Sequence, residues 1–326
     1  VRVSHASARQ RAGRAGRQQP GVCYHLWSET TEQGLLPYNS PEILEADLAP
    51  LALELAQWGV TDATTLTWPD APPGAALSQA QQLLQQLGAV DEQWRITTVG
   101  KAMARLPLHP RLAHMLVRAG MTGQGALACD IAALLSERDI LRRVEGERRC
   151  DFTLRLSALR AQRAAGAKGR GGYGADPRAC NTVERAAKQW RRQLKLDCDN
   201  AAVEETEVGT LLALAYPERV ARRRDETSGR YLLANGRGAA FTKECICGAE
   251  LIVVAELDAG GSPQGGEGRI FSAAPITLPQ IESLFAGQLR WREEVSWDER
   301  SESVVARRVR TLGALVLEQG TLASTD

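Results

Sequence analysis

The spacing of apolar residues changes once along this chain, near Pro217, and that change divides what the chain can fold into. Before it, apolar residues recur at intervals of three and four. Leu127, Ile131, Leu134 and Leu135 form one stripe, Val183, Ala186, Ala187, Trp190 and Leu194 a second, and Val208, Leu211, Leu212 and Ala215 a third. This spacing gathers them on one face of a helix, where such residues form core rather than a ligand site. After Pro217 the period is two: Leu289, Trp291, Val295 and Trp297 alternate with Arg290, Arg292, Ser296 and Asp298. One apolar and one polar face is the mark of a strand. Residues 231–233, 251–257, 269–274 and 304–317 also read as strands, and 278–285 as a short helix. About five strands and a helix fit a small barrel. At 326 residues the chain is too long for one ordinary core, so the fold class is multi-domain α+β.

The first hundred residues add a third pattern. Ser40 and Pro41 supply a helix start, Ile43, Leu44, Leu48, Leu51, Leu55 and Trp58 follow at helical spacing, and Gly59 closes the helix. A second helix begins at Ser78 and carries Leu83, Leu84 and Leu87 up to Gly88. Asp91-Glu92 then makes a hairpin turn within 90–97, and a helix follows over about 99–106. Helix, helix, hairpin, helix is the order of a winged-helix domain.

Composition narrows the classes further. The formal net charge is only +1, so any affinity for nucleic acid must come from local patches. On the helical part the arginines Arg142, Arg143, Arg148, Arg149, Arg155 and Arg160 are candidate phosphate contacts if they point outward. No apolar run is long enough to span a membrane, which predicts a soluble, cytoplasmic protein with no membrane partner. The seven cysteines lack metal-ligand spacing, Cys245-Ile246-Cys247 being too close for a zinc knuckle. No metal site is expected, and the thiols read as buried or idle in a reducing compartment. The Gly-rich stretches 166–172 and 260–266 read as loops, the first within a mobile insert between Ala164 and Pro177.

The densest chemical signal is at the start. Gln10-Arg11-Ala12-Gly13-Arg14-Ala15-Gly16-Arg17 places three arginines and two glycines in eight positions, and no acid precedes Gln18. Arginine offers a planar fork of donors that stays charged, and glycine lets a backbone approach a ligand closely, so the pattern suits phosphate. A basic, solvated tail is the plainer alternative.

The order Q-R-x-G-R-x-G-R resembles motif VI of superfamily 2 helicases. Residues 40–55, the run Leu106-Pro107-Leu108-His109-Pro110-Arg111-Leu112, and Ala221-Arg222-Arg223-Arg224 with Leu233-Ala234-Asn235-Gly236 resemble the DEAH/RHA group of that superfamily. The resemblance implies four parts: the end of a second RecA-like motor domain (1–39), in which 20–27 would be a turn and an edge strand; a winged helix acting as a hinge (40–106); a helicase-associated helical bundle, or ratchet (107–216); and an OB-like barrel (217–326).

It also implies a mechanism for a longer protein, an ATP-dependent RNA helicase. ATP with Mg²⁺ would sit between two RecA-like domains, with Arg14 and Arg17 as arginine fingers on the γ-phosphate. Gln10 would orient the phosphate or the attacking water, and Arg11 and Gly13 would lie near the nucleotide. The bundle and barrel would hold single-stranded RNA, with Arg222, Arg223, Arg224, Arg307, Arg308 and Arg310 as the patches to test. Neither GxxxxGK[ST] nor DExH occurs here. The chain therefore reads as a fragment whose partner RecA-like domain belongs to the same polypeptide, unable to hydrolyse ATP alone, with a further region expected beyond Asp326. Two other classes stay open: a motor-less nucleic-acid-binding module and a protein-binding scaffold.

Overall fold

The structure, a computed structural model, describes residues 3–142, 150–166, 172–196, 206–225, 229–242, 248–258, 267–298 and 303–321. The chain divides into two compact units, residues 1–97 and 98–326.

In the first unit, α1 (His5–Ala12) starts at Ser4, whose side chain accepts the Ser7 N–H. The N–H groups of His5 and Ala6, left open at a helix start, donate to the carbonyls of Leu36 and Pro37 at 2.8 and 3.0 Å. The expected strand over 20–27 does not form. Val22, Tyr24 and Leu26 are exposed, and no described strand pairs with the segment, so its backbone groups turn to water instead of a ladder. α2 (Glu29–Gln33) follows, capped by Ser28.

The single helix expected from Ser40 is two pieces, a short 3-10 turn at Glu42–Leu44 and α3 (Ala49–Trp58). Pro50 is the cause. Inside a longer helix its ring would collide with the carbonyl of residue 46 and it would donate no hydrogen bond, but in a first turn neither cost arises. The Asp47 carboxylate marks the new start by accepting the Ala49 N–H at 2.8 Å. Gly59 ends α3 as expected, at φ +81°, though Trp58 points to solvent. α4 (Gly74–Gln86) begins earlier than Ser78 and buries Leu83 and Leu84, packing on α3. The hairpin is present as a bridge between Val90 and Ile96, closed by the Asp91 carboxylate on the N–H groups of Gln93 and Arg95.

The second unit begins with α5 (Thr98–Met103), α6 (Pro110–Met121), α7 (Gly125–Ser136), α8 (Thr153–Ala165), α9 (Pro177–Gln193) and α10 (Glu207–Ala215). The apolar stripes fall inward as expected: Leu127, Ile131, Leu134, Val183, Ala187, Trp190, Val208, Leu211, Leu212 and Ala215 are buried. α7 is the centre, with α6, α8 and α9 packed around it. Each fully buried Leu or Ile contributes about 1.5–3 kcal/mol. Of the arginines expected to face outward, Arg155 is turned in and paired with Asp139 at 2.8 Å, since its helix position faces the core. Arg142 is exposed, and Arg143, Arg148 and Arg149 lie outside the described residues, as do residues 167–171 of the Gly-rich insert.

The barrel is built from β1 (Val220–Arg223), β2 (Arg230–Leu233), β3 (Gly238–Phe241), β4 (Leu251–Asp258) and β5 (Gly268–Pro275), ordered β1-β2-β3-β5-β4 and closed on itself. The β3–β5 pair is parallel and the others antiparallel. Tyr231 and Phe241 meet edge to face in its core at 5.6 Å, among Leu233, Ile252, Val254 and Ile270. α11 (Leu278–Phe285) has the expected bounds.

The last two expected strands are not part of the barrel. β6 (Arg290–Asp298), β7 (Ser303–Leu312) and β8 (Leu315–Thr321) form a separate antiparallel sheet. Closure leaves no free barrel edge for them to join. The run 304–317 is broken into two strands at Gly313, which takes φ +57° and where an added Cβ would collide with the Ala234 carbonyl. The period-two reading of β6 is right, but Trp291, Val295 and Trp297 lie on an exposed face.

Among the cysteines, Cys129 and Cys180 are buried free thiols, and burial pushes the Cys129 thiol up to about 12. Cys23 is exposed and Cys150 is disulfide-bonded, which departs from the idle-thiol reading. Cys245 and Cys247 lie outside the described residues.

Candidate functional site

The Arg/Gly segment is assembled by the end of α1. Gln10 and Arg11 sit in its last turn, and the Gly13 N–H closes the helix on the Arg9 carbonyl at 2.9 Å. The Arg14 and Ala15 N–H groups then donate to Arg11 and Ala12, both at 3.1 Å, so the chain continues as tight turns. Gln10, Arg11, Gly13, Arg14 and Arg17 are exposed. None of the three arginines has an ion pair among the described residues, which leaves their donors open to an external anion.

Next to α1 lies an arrangement that the order of residues does not announce. Glu32 of α2 accepts from the Trp27 indole N–H, and its carboxylate lies 3.3 Å from His25 Nδ1 and 3.5 Å from His5 Nδ1. The Trp27 hydrogen bond, with His25 beside it, holds the Glu32 carboxyl below the usual carboxylate range. His25 also stacks on Trp27 at 4.7 Å. Together with Arg9, Gln10, Pro37 and Tyr38, the residues His5, His25 and Glu32 line an open cleft of about 830 Å³. Gln10 is thus on a cleft wall, and Arg14 and Arg17 are not among the lining residues.

The six candidate arginines of the barrel region are not one patch. Arg222 is committed to protein, pairing with Glu250 at 2.8 Å and donating to the carbonyls of Val316 and Leu317 on β8. Arg223 donates to the Gly248 carbonyl and Arg224 faces Glu267 at 3.7 Å. Arg310 is clamped between Glu282 and Glu318, which lift its pKa further, Glu318 contributing most. Arg308 lies over the Trp291 ring at 4.9 Å. Arg307 is exposed with no ion pair among the described residues. The β6–β7 register places Trp291, Glu293, Val295 and Trp297 on one face with Arg310, Arg308, Ala306 and Val304. Arg307 is on the other face.

Two family models match. "Helicase associated domain (HA2), winged-helix" matches residues 80–108, and "ATP-dependent RNA helicase HrpB, connector region" matches residues 288–322. Escherichia coli ATP-dependent RNA helicase HrpB is 32% identical over 322 residues, which is 99% of this chain and 36% of that protein. The chain is homologous to the C-terminal region of DEAH/RHA helicases. A Saccharomyces cerevisiae relative, probable ATP-dependent RNA helicase DHR2, is 36% identical over 159 residues, 49% of this chain and 22% of its own length. The crystal structure of the E. coli DExH-box NTPase HrpB superposes with a TM-score of 0.70 at 31% identity, covering 100% of this chain and 36% of that one.

The chain therefore spans about a third of the length of its HrpB relative. The winged-helix match covers the hairpin of 90–97, and the closed barrel is the second architectural part in common with such helicases. The connector match coincides with the three-stranded sheet, the portion that sequence periodicity alone had assigned to the barrel.

Proposed function

We propose that this chain is the C-terminal part of an ATP-dependent RNA helicase that works in the cytoplasm. Residues 1–39 close its second RecA-like motor domain, 40–106 are the winged helix, 107–216 form the ratchet-like bundle, and 217–326 carry the barrel and the sheet that follows it. The observation that carries this reading is the succession Arg11, Arg14 and Arg17 at the end of α1, exposed and without ion pairs among the described residues, in a chain alike to a helicase over its whole length.

ATP with Mg²⁺ would bind mainly to the motor domain that carries the phosphate loop, and this chain's residues fit the exposed side of its phosphates. Gln10, Arg11 and Gly13 hold the approach to the nucleotide. Arg14 and Arg17 place fixed positive charge where negative charge builds up on the transferred phosphoryl group. The pre-set turns after Gly13 mean that this placement needs little reorganisation. The strand of RNA is held by the bundle and the barrel region. Of the candidate arginines there, Arg307 and Arg308 have the most freedom to meet a phosphate, and Arg222, Arg223, Arg224 and Arg310 contribute less because protein partners already hold them.

The test is ATP turnover by a full-length protein that includes a phosphate-loop domain. Arg14→Ala or Arg17→Ala is expected to lower RNA-stimulated turnover by about 10³-fold or more while leaving RNA affinity nearly intact. Wild-type turnover in either variant overturns the assignment. Loss of RNA binding instead supports the rival role of the segment as an RNA-binding arm.

A further inference from the structure

The outer face of α9 carries a line of positive charge that none of the candidates above includes. Between Pro177 and Leu196 the sequence holds six cations, Arg178, Arg185, Lys188, Arg191, Arg192 and Lys195, and one acid, Glu184. The structure separates them by face. Glu184 and Arg191 turn inward to the network around Asp130 and Arg163. Arg178, Arg185, Lys188 and Arg192 are exposed on the opposite side. Arg178, Arg185 and Arg192 follow at seven-residue steps, which on a helix is nearly the same face, about 10 Å apart along the axis.

Ordinary helix electrostatics explains only part of this. Cations are favoured near a helix C-terminus, which accounts for Arg192, but they are disfavoured in the first turn, where Arg178 stands. Arg178 and Arg192 have no ion pair among the described residues. Among the described residues, Arg185 bonds only the Asn181 carbonyl and the Thr182 hydroxyl of its own helix. Lys188 has Glu184 one turn away at 3.5 Å, but Glu184 is already engaged by Arg163. The face is thus a row of poorly neutralised charge on a rigid, well-packed helix.

We infer that the outer face of α9 is a docking surface for the phosphate backbone of nucleic acid, bound through charge and without reading bases. The stripe is about 21 Å long from Arg178 to Arg192. At 3.4 Å of rise per nucleotide in one strand of a duplex, that length faces about six phosphates. Trp190, the aromatic residue of α9, is buried, so the face has no platform on which a base could stack. It therefore holds a backbone irrespective of sequence, through residues distinct from the candidates named above. This inference rests on the reading that the protein acts on nucleic acid.

The experiment is fluorescence anisotropy with the complete 326-residue chain, using a labelled 20-nucleotide RNA homopolymer and a labelled RNA duplex between 50 and 200 mM salt. Neutralising the stripe with Arg178→Gln, Arg185→Gln and Arg192→Gln together is expected to make the slope of log K against log salt shallower. The change is about 2 for the single strand and about 3 for the duplex. The triple lysine variant at the same positions keeps the wild-type slope, which separates loss of charge from loss of fold. An unchanged slope in the triple glutamine variant overturns the docking surface and leaves the nucleic-acid reading standing. A wild-type chain with no salt-dependent affinity overturns both.

Discussion

The carboxylate of Asp130, on α7, receives both prongs of the Arg163 guanidinium from α8, at 2.6 and 2.7 Å. Arg191 of α9 donates to the same carboxylate, and Glu184 returns the balance by accepting from Arg163. Three helices are thus joined through one residue that is 1% exposed. Removing the acid strands two guanidiniums in the bundle, which is far costlier than never having had the pair. Asp130→Ala is expected to destabilise the chain by about 3–5 kcal/mol, read as a lower urea midpoint at constant slope. A midpoint within 0.5 kcal/mol of wild type, about the scatter of a neutral surface change, contradicts the network's role.

His114 gives the second unit a dependence on pH. Its Nδ1–H donates to the Leu214 carbonyl at 2.8 Å, and burial, with Arg118 nearby, holds its pKa below the ordinary histidine value. The unfolded chain then binds the proton more readily than the folded one. This contribution is fully present above about pH 6.5 and is lost as pH falls toward the lowered folded value. Thermal scans from pH 7.5 to 5.0 are expected to show a falling Tm, with a shallower fall in His114→Gln. Parallel profiles rule His114 out as a source.

Gly209 is where α10 meets the barrel. A Cβ built there would stand 2.0 Å from the Pro275 carbonyl oxygen, and backbone cannot step aside as a side chain can. Alanine is the better helix former by about 1 kcal/mol, yet Gly209→Ala is expected to lose about 1–3 kcal/mol on balance because the helix must move off β5. Chemical denaturation decides the sign, and a stabilised variant refutes the close approach.

Arg222, one of the phosphate candidates, also ties β1 to β8. Arg222→Ala is expected to raise amide exchange over residues 315–321 by at least tenfold relative to the barrel strands. Unaltered exchange there would restore Arg222 to the list of free cations.

Much of this was legible in the residues, and the failures have specific causes. The stripes of α7, α9 and α10 were readable because each helix has one buried face and a core to meet. The run from Ser40 was misread because Pro50, permitted only near a helix start, outweighs the apolar spacing around it. β1 and β3, four residues each with Arg, Gly and Ala, carry too little pattern to register as strands. β6 has a strong pattern but no information about its partner, since alternation says nothing of which sheet receives it. At the site, the Arg/Gly order was visible, whereas the meeting of His5, His25 and Trp27 on Glu32 depends on how the chain folds back after α1. The basic face of α9 was present in the sequence as ordinary charge. Only the inward turn of Glu184 shows that it is unbalanced.

Tyr216, at the end of α10, has two guanidiniums over its ring, Arg111 of α6 at 5.4 Å and Arg219 at the barrel entrance at 4.3 Å. Arg111 also reaches Glu218 at 2.9 Å, so the grip closes on itself. Neither side can slide along the other without giving up a stacked cation. Such a joint is a coupling and not a hinge: a displacement of α6 is passed to the first strand of the barrel with little slack.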